Sequence, residues 1–464
     1  MTFADDTLGV FTTCKPFRGA DGVYQHLALK SWADLALPVM LIGNDEGTAD
    51  AAALYGFKHA PVAGAGYPTL GHLFETARAH FDAPALCYMN ADILLPPDAG
   101  SPLGVLAHAA RDRLLLATAR RRNLPLPHRH DGAPERRDVA ALIRQLDADY
   151  GAWDGPLAID MVLFSRALFA DLPALKIGRM GWDNWALWQA RAAGAAVVDA
   201  SADMALYHPI HEYGSGSGGW RAYWSGDDVR ANLAAVGERR LSLDDATTHY
   251  LQDGRLRDRA GLSDADAAAF RARLSADPDR SIRGGLKVLS DLVADRVANP
   301  AADHNVVDVA RMILWRSGRY APFRDLATPA PLGRPEDVAA LLTEPADAAA
   351  ETLEDWVNRD SADRLLAARA ESRPIYVHGT GGYARRALPV LRRLGAEPDA
   401  LLTPAAYKTE EALDGVPVQA VEDLMLGPEQ GRPAPMVLVA SGAAAEILDR
   451  YRALGLSEGT DVLI

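Results

Sequence analysis

Three short polar clusters interrupt apolar segments in the first half of the sequence, and the first of them is Asn90 and Asp92. These two residues lie near the end of the apolar run Ala85-Leu86-Cys87-Tyr88-Met89-Asn90-Ala91-Asp92-Ile93-Leu94-Leu95. Residues two apart on a strand point to the same side. In α/β proteins a carboxylate at such a strand end can hold a metal ion or a substrate hydroxyl. The alternative interpretation is that Asp92 only ends the strand before the turn at Pro96-Pro97.

The second cluster is Trp182-Asp183-Asn184-Trp185, at the predicted start of a helix. Indole rings that shield Asp183 from water would raise its pKa, whereas a helix N-terminus favours the ionised carboxylate. A general base needs a position and a basicity of this kind. The alternative is that Asp183 caps the helix and that the two tryptophans belong to the core.

The third cluster is His208, His211 and Glu212, in the closing segment of the first half. Imidazole can complete the coordination of a borderline metal ion such as Mn²⁺. The alternative is a structural role for the histidines beside Tyr207 and Pro209.

The elements that would position these clusters alternate between apolar strands and segments with helical spacing. Strands are predicted at residues 8–13, 38–42, 59–62 and 85–95, with helices between them, among them 70–80. This order predicts a doubly wound α/β domain with a mainly parallel sheet. Further strands are predicted at residues 114–118, 159–164 and 195–199.

The polar segment 120–137 is predicted to be a flap, either ordered or disordered, since it offers little for a core. Its Arg120-Arg121-Arg122 triplet is either a solvated loop or a local basic spot. Residues 220–370 are predicted to be mainly helical and to carry little chemistry.

The sequence changes character at Pro374, where a strand at 375–378 is followed by a glycine-rich turn and a helix at 383–394. Short strands at 400–402, 416–418 and 436–440 continue the alternation. This pattern predicts a small Rossmann-like domain without a second mononucleotide half, which argues against dinucleotide redox chemistry. The predicted domains are therefore 1–219, 220–370 and 371–464.

Composition narrows the partners and the compartment. The 464-residue chain has a net charge of −14, which argues against binding to nucleic acid. Its two cysteines, Cys14 and Cys87, support no disulfide framework. We see no secretion signal and no apolar run near the roughly 20 residues that span a bilayer. The expected location is cytoplasmic, including the inner face of the membrane, and a homo-oligomer is left open.

Taken together, four blocks in the first half of the sequence resemble nucleotide-sugar-dependent glycosyltransferases of the GT-A fold. They are F-T-T-x-K-P-F, L-C-Y-M-N-A-D-I-L-L, I-G-R-x-G-W-D-N-W and Y-H-P-I-H-E-Y, in the expected order over about residues 7–215. The resemblance makes Asn90-Ala91-Asp92 the counterpart of the D-x-D motif, with Asp92 on a divalent metal, Mn²⁺ or Mg²⁺. Asn90 stands where relatives have a carboxylate, so one acidic ligand is missing.

The same resemblance implies roles for other residues. It makes Asp183 the catalytic base of an inverting enzyme and His208 a ligand of the metal or the diphosphate, although retaining members leave the stereochemistry open. The implied donor-binding residues are Thr12, Thr13, Lys15, Asp45, Asn90 and Arg179. The implied substrates are a nucleotide-sugar donor and a saccharide or glycoconjugate acceptor, in bacterial polysaccharide or glycoconjugate synthesis.

The C-terminal segment, with G-T-G-G-Y-A-R-R, resembles the N-terminal nucleotide-sugar-binding domain of bacterial sugar O-acyltransferases. This implies a second nucleotide site at Gly379, Gly381, Gly382 and Arg385, or else an assembly module.

Two other functions remain open at this point. A sugar-phosphate nucleotidyltransferase uses a similar sheet, but Thr12-Thr13-Cys14-Lys15-Pro16 lacks the glycines of its phosphate loop. A non-catalytic nucleotide-sugar-binding scaffold would account for Asn90.

Overall fold

The structure is a computed structural model, and it describes residues 7–62, 68–129, 133–211, 227–274, 277–298, 359–380, 382–393, 395–405, 408, 411–423, 434–439, 444–457 and 461–463. The chain divides into two compact units, one built on an N-terminal sheet and the other on a C-terminal sheet. Each unit is described by itself.

The first unit opens with strands and helices in strict alternation. They are β1 (Leu8–Thr12), α1 (Gly19–Asp34), β2 (Val39–Ile42), α2 (Thr48–Tyr55), β3 (Lys58–Ala60), α3 (Leu70–His80) and β4 (Ala85–Met89). Every residue of β1, β2 and β4 is buried. Their sequences are almost uninterrupted apolar runs because helices cover both faces of a parallel sheet.

The chain then becomes less regular. The next elements are α4 (Gly100–Asp112), β5 (Leu115–Thr118), β6 (Arg121–Leu124), α5 (Val139–Tyr150), β7 (Ala152–Trp153), β8 (Met161–Ser165), α6 (Trp182–Ala192), β9 (Ala196–Asp199) and β10 (Leu206–Pro209). They are followed by α7 (Asp227–Val236), α8 (Leu243–Ala246), β11 (His249–Gln252), β12 (Arg255–Asp258), α9 (Asp264–Arg273) and α10 (Pro278–Ala298).

Within the described residues, nine strands of this unit form one sheet in the order β12-β11-β9-β5-β8-β4-β1-β2-β3. Strand β8 runs antiparallel to β4 and β5, and β12 runs antiparallel to β11, while the other neighbours are parallel. A second sheet has the order β10-β6-β7. The predicted mixed α/β class is confirmed.

The sheet separates two apolar layers, because successive side chains of a strand point to opposite faces. On β1, Val10 belongs to the layer that contains Trp32 of α1, whereas Phe11 belongs to the layer that contains α3 and α6. In the second layer the rings of Phe74 and Phe164 stack with their centroids 4.8 Å apart. These layers fix the strands whose ends carry the polar clusters.

One of the two alternatives for the Arg120-Arg121-Arg122 triplet is wrong. Residues 120–124 are not a solvated loop, since β6 pairs with β10 and β7 and each arginine of the triplet has an acidic partner. Arg120 pairs with Asp244, Arg121 with Asp154 and Asp160, and Arg122 with Asp147. In the described residues 227–274 and 277–298 of the region predicted to be mainly helical, helices α7 to α10 accompany the β11–β12 hairpin, and β11 pairs with β9 and extends the first sheet.

The second unit contains a smaller sheet. Its elements are α11 (Arg359–Ala370), β13 (Ile375–His378), α12 (Gly382–Arg393), β14 (Ala400–Thr403), β15 (Ala412–Leu413), β16 (Val416–Ala420), β17 (Met436–Val439), α13 (Ala444–Ala453) and β18 (Val462–Leu463). The strand order is β15-β16-β14-β13-β17-β18, with only the β15–β16 pair antiparallel among the described strands. The predicted separate C-terminal α/β sheet is confirmed, and the exact domain boundaries stay a prediction.

Candidate metal and catalytic site

The polar clusters meet at one edge of the first sheet. The carboxyl ends of the parallel strands β1, β2 and β4 reach this edge, followed respectively by Thr13, by the segment 43–47 and by Asn90. Strand β8 is antiparallel, so its amino end lies at the same edge, where Met161 is paired with Met89. Asp160, which directly precedes β8, therefore lies beside Asn90, whose backbone N–H donates to the Asp160 carbonyl at 2.9 Å.

Asp92 lies in the turn that follows β4, and β10 brings two histidines to it. The backbone of Leu94 exchanges two hydrogen bonds with Tyr207, at 2.8 and 3.0 Å. This pairing fixes β10 against the turn and places His208 and His211 at Asp92. One ligand atom from each of these three residues lies within 4.8 Å of the others. His211 Nε2 is 3.7 Å from Asp92 Oδ2.

The donor set fits a divalent metal ion. Asp92 Oδ1 is buried and accepts no hydrogen bond from the part of the chain that the structure describes. A buried acceptor without a partner is costly, so a cation at this position would compensate it. One carboxylate and two imidazoles suit a borderline metal such as Mn²⁺. The resemblance gives the metal role to Asp92 and His208, and the structure adds His211 to the same group, while Glu212 lies outside the described residues.

Asn90 is held by the protein at both ends of its amide. Its Nδ2 donates to Asp160 Oδ1 at 2.8 Å, and its Oδ1 accepts from the Tyr88 hydroxyl at 3.1 Å. The amide therefore links two side chains at the sheet edge. Its role toward a donor molecule stays a prediction.

Asp160 and Arg121 lie at the site although the sequence patterns predicted no role for them. Arg121 donates to Asp160 Oδ2 at 3.2 Å and to Asp154 Oδ2 at 2.7 Å. Burial raises the pKa of Asp160, and the nearby Arg121 opposes that rise. The one sequence signal is an aspartate at the start of an apolar strand, since its partners come from distant parts of the chain.

Asp183 lies in the first turn of α6 and has an unusual basicity. Burial raises the pKa of its carboxyl to about 7, and the charge of the nearby Asp160 adds to the rise. Backbone hydrogen bonds to the carboxylate, such as that from the Asn184 N–H to Oδ1, lower the pKa and only partly offset the effect of burial. The N-cap of α6 is Gly181, with φ of 99°, so the alternative in which Asp183 caps the helix is wrong. Trp182 and Trp185 are buried as that alternative predicted.

Tyr88 connects the turn after β4 with the start of α6, since its hydroxyl donates to Asn90 and its ring contacts Trp182. Burial raises the pKa of its hydroxyl far above the usual range, and Asp92, Asp160 and Asp183 each add to the rise through their charge. The edge of the Tyr88 ring meets the Trp182 ring at 89°, with the centroids 5.1 Å apart. The metal group and the candidate base thus belong to one electrostatic cluster.

Polar side chains also lie at the neighbouring ends of β1 and β2. The Thr13 hydroxyl is buried and has no hydrogen-bond partner among the described residues. A Cβ on Gly43, whose φ is 144°, would lie 3.2 Å from Thr13 Oγ1 and 3.9 Å from Asp45 Oδ2. Burial raises the pKa of the Cys14 thiol, and Asp45 and Asp92 raise it further, so this thiol interacts with both carboxylates. Burial also raises the pKa of Asp45.

Three other predicted donor residues have partners within the protein. Thr12 is fully buried and donates to the Thr13 carbonyl at 3.3 Å. The Lys15 ammonium pairs with Asp21 at 2.9 Å. Arg179 Nε lies 3.9 Å from Asp228, and the guanidinium donates to the Gly178 carbonyl at 3.0 Å.

The turn predicted as a second nucleotide site is described only in part. Gly379 has φ of 126° and donates its N–H to the Leu402 carbonyl at 2.8 Å, and Gly382 begins α12. Gly381 and the Arg385 side chain lie outside the described residues. The preceding His378 is buried, with Nδ1 2.7 Å from the Tyr451 hydroxyl.

Comparisons with known proteins give only distant structural similarity. No protein-family model and no curated protein matches the chain. Mannosyltransferase PcManGT from Pyrobaculum calidifontis, solved with GDP-Man and Mn²⁺, is 14% identical over 72% of this chain and 86% of its own, with a TM-score of 0.33. Glucosyl-3-phosphoglycerate synthase from Mycobacterium tuberculosis, solved with Mg²⁺ and UDP, is 14% identical over 44% of this chain and 71% of its own, with a TM-score of 0.28. Similarities of this size leave function to be argued from the chain's own residues.

A search of the described residues for membrane-crossing segments is negative: none of their helices combines the necessary length with sufficient apolar character.

Proposed function

We propose that this chain is a metal-assisted glycosyltransferase that moves a sugar from a nucleotide-sugar donor to an acceptor hydroxyl. The observation that carries the proposal is that Tyr88 links the two groups. Its hydroxyl donates to Asn90 at 3.1 Å, two residues before the metal-group residue Asp92, and its ring lies 5.1 Å from that of Trp182, the neighbour of Asp183. A cation site beside a carboxyl whose pKa is about 7 provides the two functions that this transfer requires.

Asp183 is the proposed catalytic base. A carboxyl with a pKa near 7 is ionised in a large fraction of molecules at neutral pH and is still basic enough to accept a hydroxyl proton. The acceptor oxygen forms a bond to the anomeric carbon while the bond from that carbon to the diphosphate breaks. The hydroxyl proton passes to Asp183. This assignment corresponds to an inverting reaction.

Asp92, His208 and His211 are the proposed metal ligands. A divalent metal held by these residues would stabilise the negative charge of the leaving diphosphate. The strand ends at Thr13, Gly43 and Asp45 are the proposed place of the nucleoside, since they offer a hydroxyl and a carboxylate to a base or ribose. A saccharide or glycoconjugate acceptor and a role in bacterial polysaccharide synthesis are proposed on the sequence resemblance alone, and the cytoplasmic location stays an expectation from the sequence.

Nucleoside diphosphate release tests the proposal. Purified protein with Mn²⁺ or Mg²⁺ should slowly hydrolyse one donor in a panel of nucleotide sugars, and a suitable acceptor should accelerate the release. Release of pyrophosphate from a nucleoside triphosphate and a sugar phosphate would instead identify a nucleotidyltransferase. Donor binding without turnover for any acceptor would identify a non-catalytic scaffold.

We also propose a second nucleotide site at Gly379, Gly381, Gly382 and Arg385. The support is the strand-turn-helix arrangement of β13 and α12, in which backbone N–H groups at a helix N-terminus favour a phosphate. Metal-independent binding of a nucleoside diphosphate that is lost in the Arg385→Ala variant would support this site. Unchanged binding in that variant would remove it.

A further inference from the structure

The metal group of this chain has one carboxylate and two imidazoles instead of a pair of carboxylates, and this difference affects which ion it binds. We propose that the site selects a borderline divalent cation, Mn²⁺ or Co²⁺, over Mg²⁺, because His211 supplies the ligand that Asn90 does not. The inference rests on the metal site of the proposed function and not on the transfer reaction itself.

The first step is that Asn90 is committed elsewhere. Its amide nitrogen donates to Asp160 and its amide oxygen accepts from Tyr88, at 2.8 and 3.1 Å. Both polar atoms of this side chain thus have partners within the protein, and a reorientation toward a cation beside Asp92 would disturb these hydrogen bonds. Asp160 is not a free substitute, since Arg121 pairs with it at 3.2 Å.

The second step is that His211 is held where a ligand is needed. The His208 and His211 rings have centroids 5.0 Å apart, and both rings reach Asp92. The ring of Tyr24 lies 6.1 Å from the ring of His211 at an interplanar angle of 33°. His211 is thus placed between an aromatic side chain and Asp92.

The third step concerns the chemistry of the donor atoms. Mg²⁺ prefers oxygen ligands and keeps several of its waters, so a site with two imidazoles and one carboxylate suits it poorly. Imidazole binds borderline ions well, and affinity for nitrogen ligands rises from Mn²⁺ to Co²⁺. With a single carboxylate, the site also lacks the negative charge that holds a hard cation.

Metal titration of the whole chain, without any substrate, tests this inference. Calorimetry should give affinities for Mn²⁺ and Co²⁺ at least about tenfold above that for Mg²⁺. The visible absorption of bound Co²⁺ should report imidazole ligands. Equal affinities for Mg²⁺ and Mn²⁺ would overturn the proposal.

Variants at His211 identify the cause of the selectivity. His211→Gln should lower Mn²⁺ and Co²⁺ affinity by about tenfold or more and narrow their advantage over Mg²⁺. His211→Asp should restore a second carboxylate and shift the preference toward Mg²⁺. Unchanged selectivity in both variants would contradict the role of His211. Circular dichroism and thermal unfolding must show that the variants are folded.

His108→Gln is the matched control. His108 Nε2 lies 3.6 Å from Asp112, almost the same distance as His211 from Asp92, but this pair is exposed on α4. The control should leave all metal affinities unchanged. If the wild-type chain shows the predicted selectivity but transfers no sugar, the proposed function fails while this inference stands.

Discussion

The first sheet and the C-terminal sheet use the same backbone turn at their strand ends. Gly43 follows β2 with φ of 144° and donates to the Ala60 carbonyl at 3.0 Å, and Gly379 follows β13 with φ of 126° and donates to the Leu402 carbonyl at 2.8 Å. In both units the accepting carbonyl belongs to the parallel neighbour strand. A glycine turn of this kind is therefore a property that the two units share.

What differs is the chemistry that other elements bring to the turn. Near Gly43, burial and then the charges of Asp45 and Asp92 raise the pKa of the Cys14 thiol. The β10 segment brings His208 and His211 to Asp92. Next to Gly379, His378 is buried against the Tyr451 hydroxyl. In the part of the chain that the structure describes, the first unit alone has a group of residues able to hold a metal ion. The metal-binding capacity of the first unit therefore comes from side chains that distant elements bring to the turn, and not from the turn itself.

The largest expected effect is loss of the proposed base. Asp183→Asn should lower sugar transfer by about 10²-fold or more, because the amide cannot accept the acceptor proton. Donor hydrolysis and transfer rates by the purified variant measure the loss. Asp50→Asn is the matched control, since Asp50 also lies in the first turn of a helix whose N-cap is a glycine with positive φ, but it is exposed. Unchanged transfer by Asp183→Asn would remove the base assignment.

A smaller effect is expected from restoring the missing carboxylate. In the wild type Asn90 Nδ2 donates to Asp160 Oδ1 at 2.8 Å. The Asn90→Asp variant would replace this donor with a second carboxylate beside that of Asp160. We expect a loss of about 1–3 kcal/mol in the free energy of unfolding at pH 7, since a hydrogen bond becomes a repulsion. Urea unfolding measures it.

Asn44→Asp provides the comparison for that variant, because Asn44 is exposed and, among the described residues, its side chain bonds to the Val62 backbone alone. Its loss of stability should be smaller. If Asn90→Asp is as stable as the wild type and binds metal more tightly, Asn90 is a lost ligand and not a link to Asp160.

The pH dependence of stability should also depend on Asp183. Its pKa in the folded chain is about 7, above the ordinary 3.8, so between these values the folded state keeps a proton that the unfolded state has lost. Raising the pH through this window therefore lowers stability. In metal-free protein, Asp183→Asn should melt at a higher temperature than the wild type at pH 8, and the difference should vanish near pH 3. A constant difference at both pH values would show that the carboxyl is not perturbed.

The smallest expected effect is a difference in metal-dependent amide hydrogen exchange between the two units. Mn²⁺ with a nucleoside diphosphate should slow amide exchange at residues 90–95 and 207–211, because ligand binding stabilises the bound unit by mass action. Residues 375–380 should show no change that depends on metal. A metal-dependent change in amide exchange at residues 375–380 would contradict the assignment of metal binding to the first unit.

Much of the fold could be predicted from local sequence. Strands such as β1 and β4 are short apolar runs. Helix α3 has the predicted bounds, because its apolar residues recur with helical spacing. Asp92, Asp183 and His208 could be singled out since each stands at the end of an apolar element. Local patterns carry this information without knowledge of the tertiary structure.

The remaining features depend on residues far apart in the chain. Arg120 pairs with Asp244, and Asn90 bonds to Asp160, across 124 and 70 positions. The arginine triplet looked like a solvated segment because its acidic partners lie on other elements. The β11–β12 hairpin could not be predicted because its pairing with β9 is a tertiary contact.

The most direct test of the central claim is nucleotide binding with and without metal. Calorimetric titration of UDP, GDP, ADP, CDP and TDP into the wild-type chain should give tight binding of one nucleotide in the presence of Mn²⁺. Removing Mn²⁺, or replacing Asp92 by alanine, should weaken that binding by about 10²-fold. Binding that is unaffected by both changes would contradict a metal-assisted donor site at Asp92, His208 and His211.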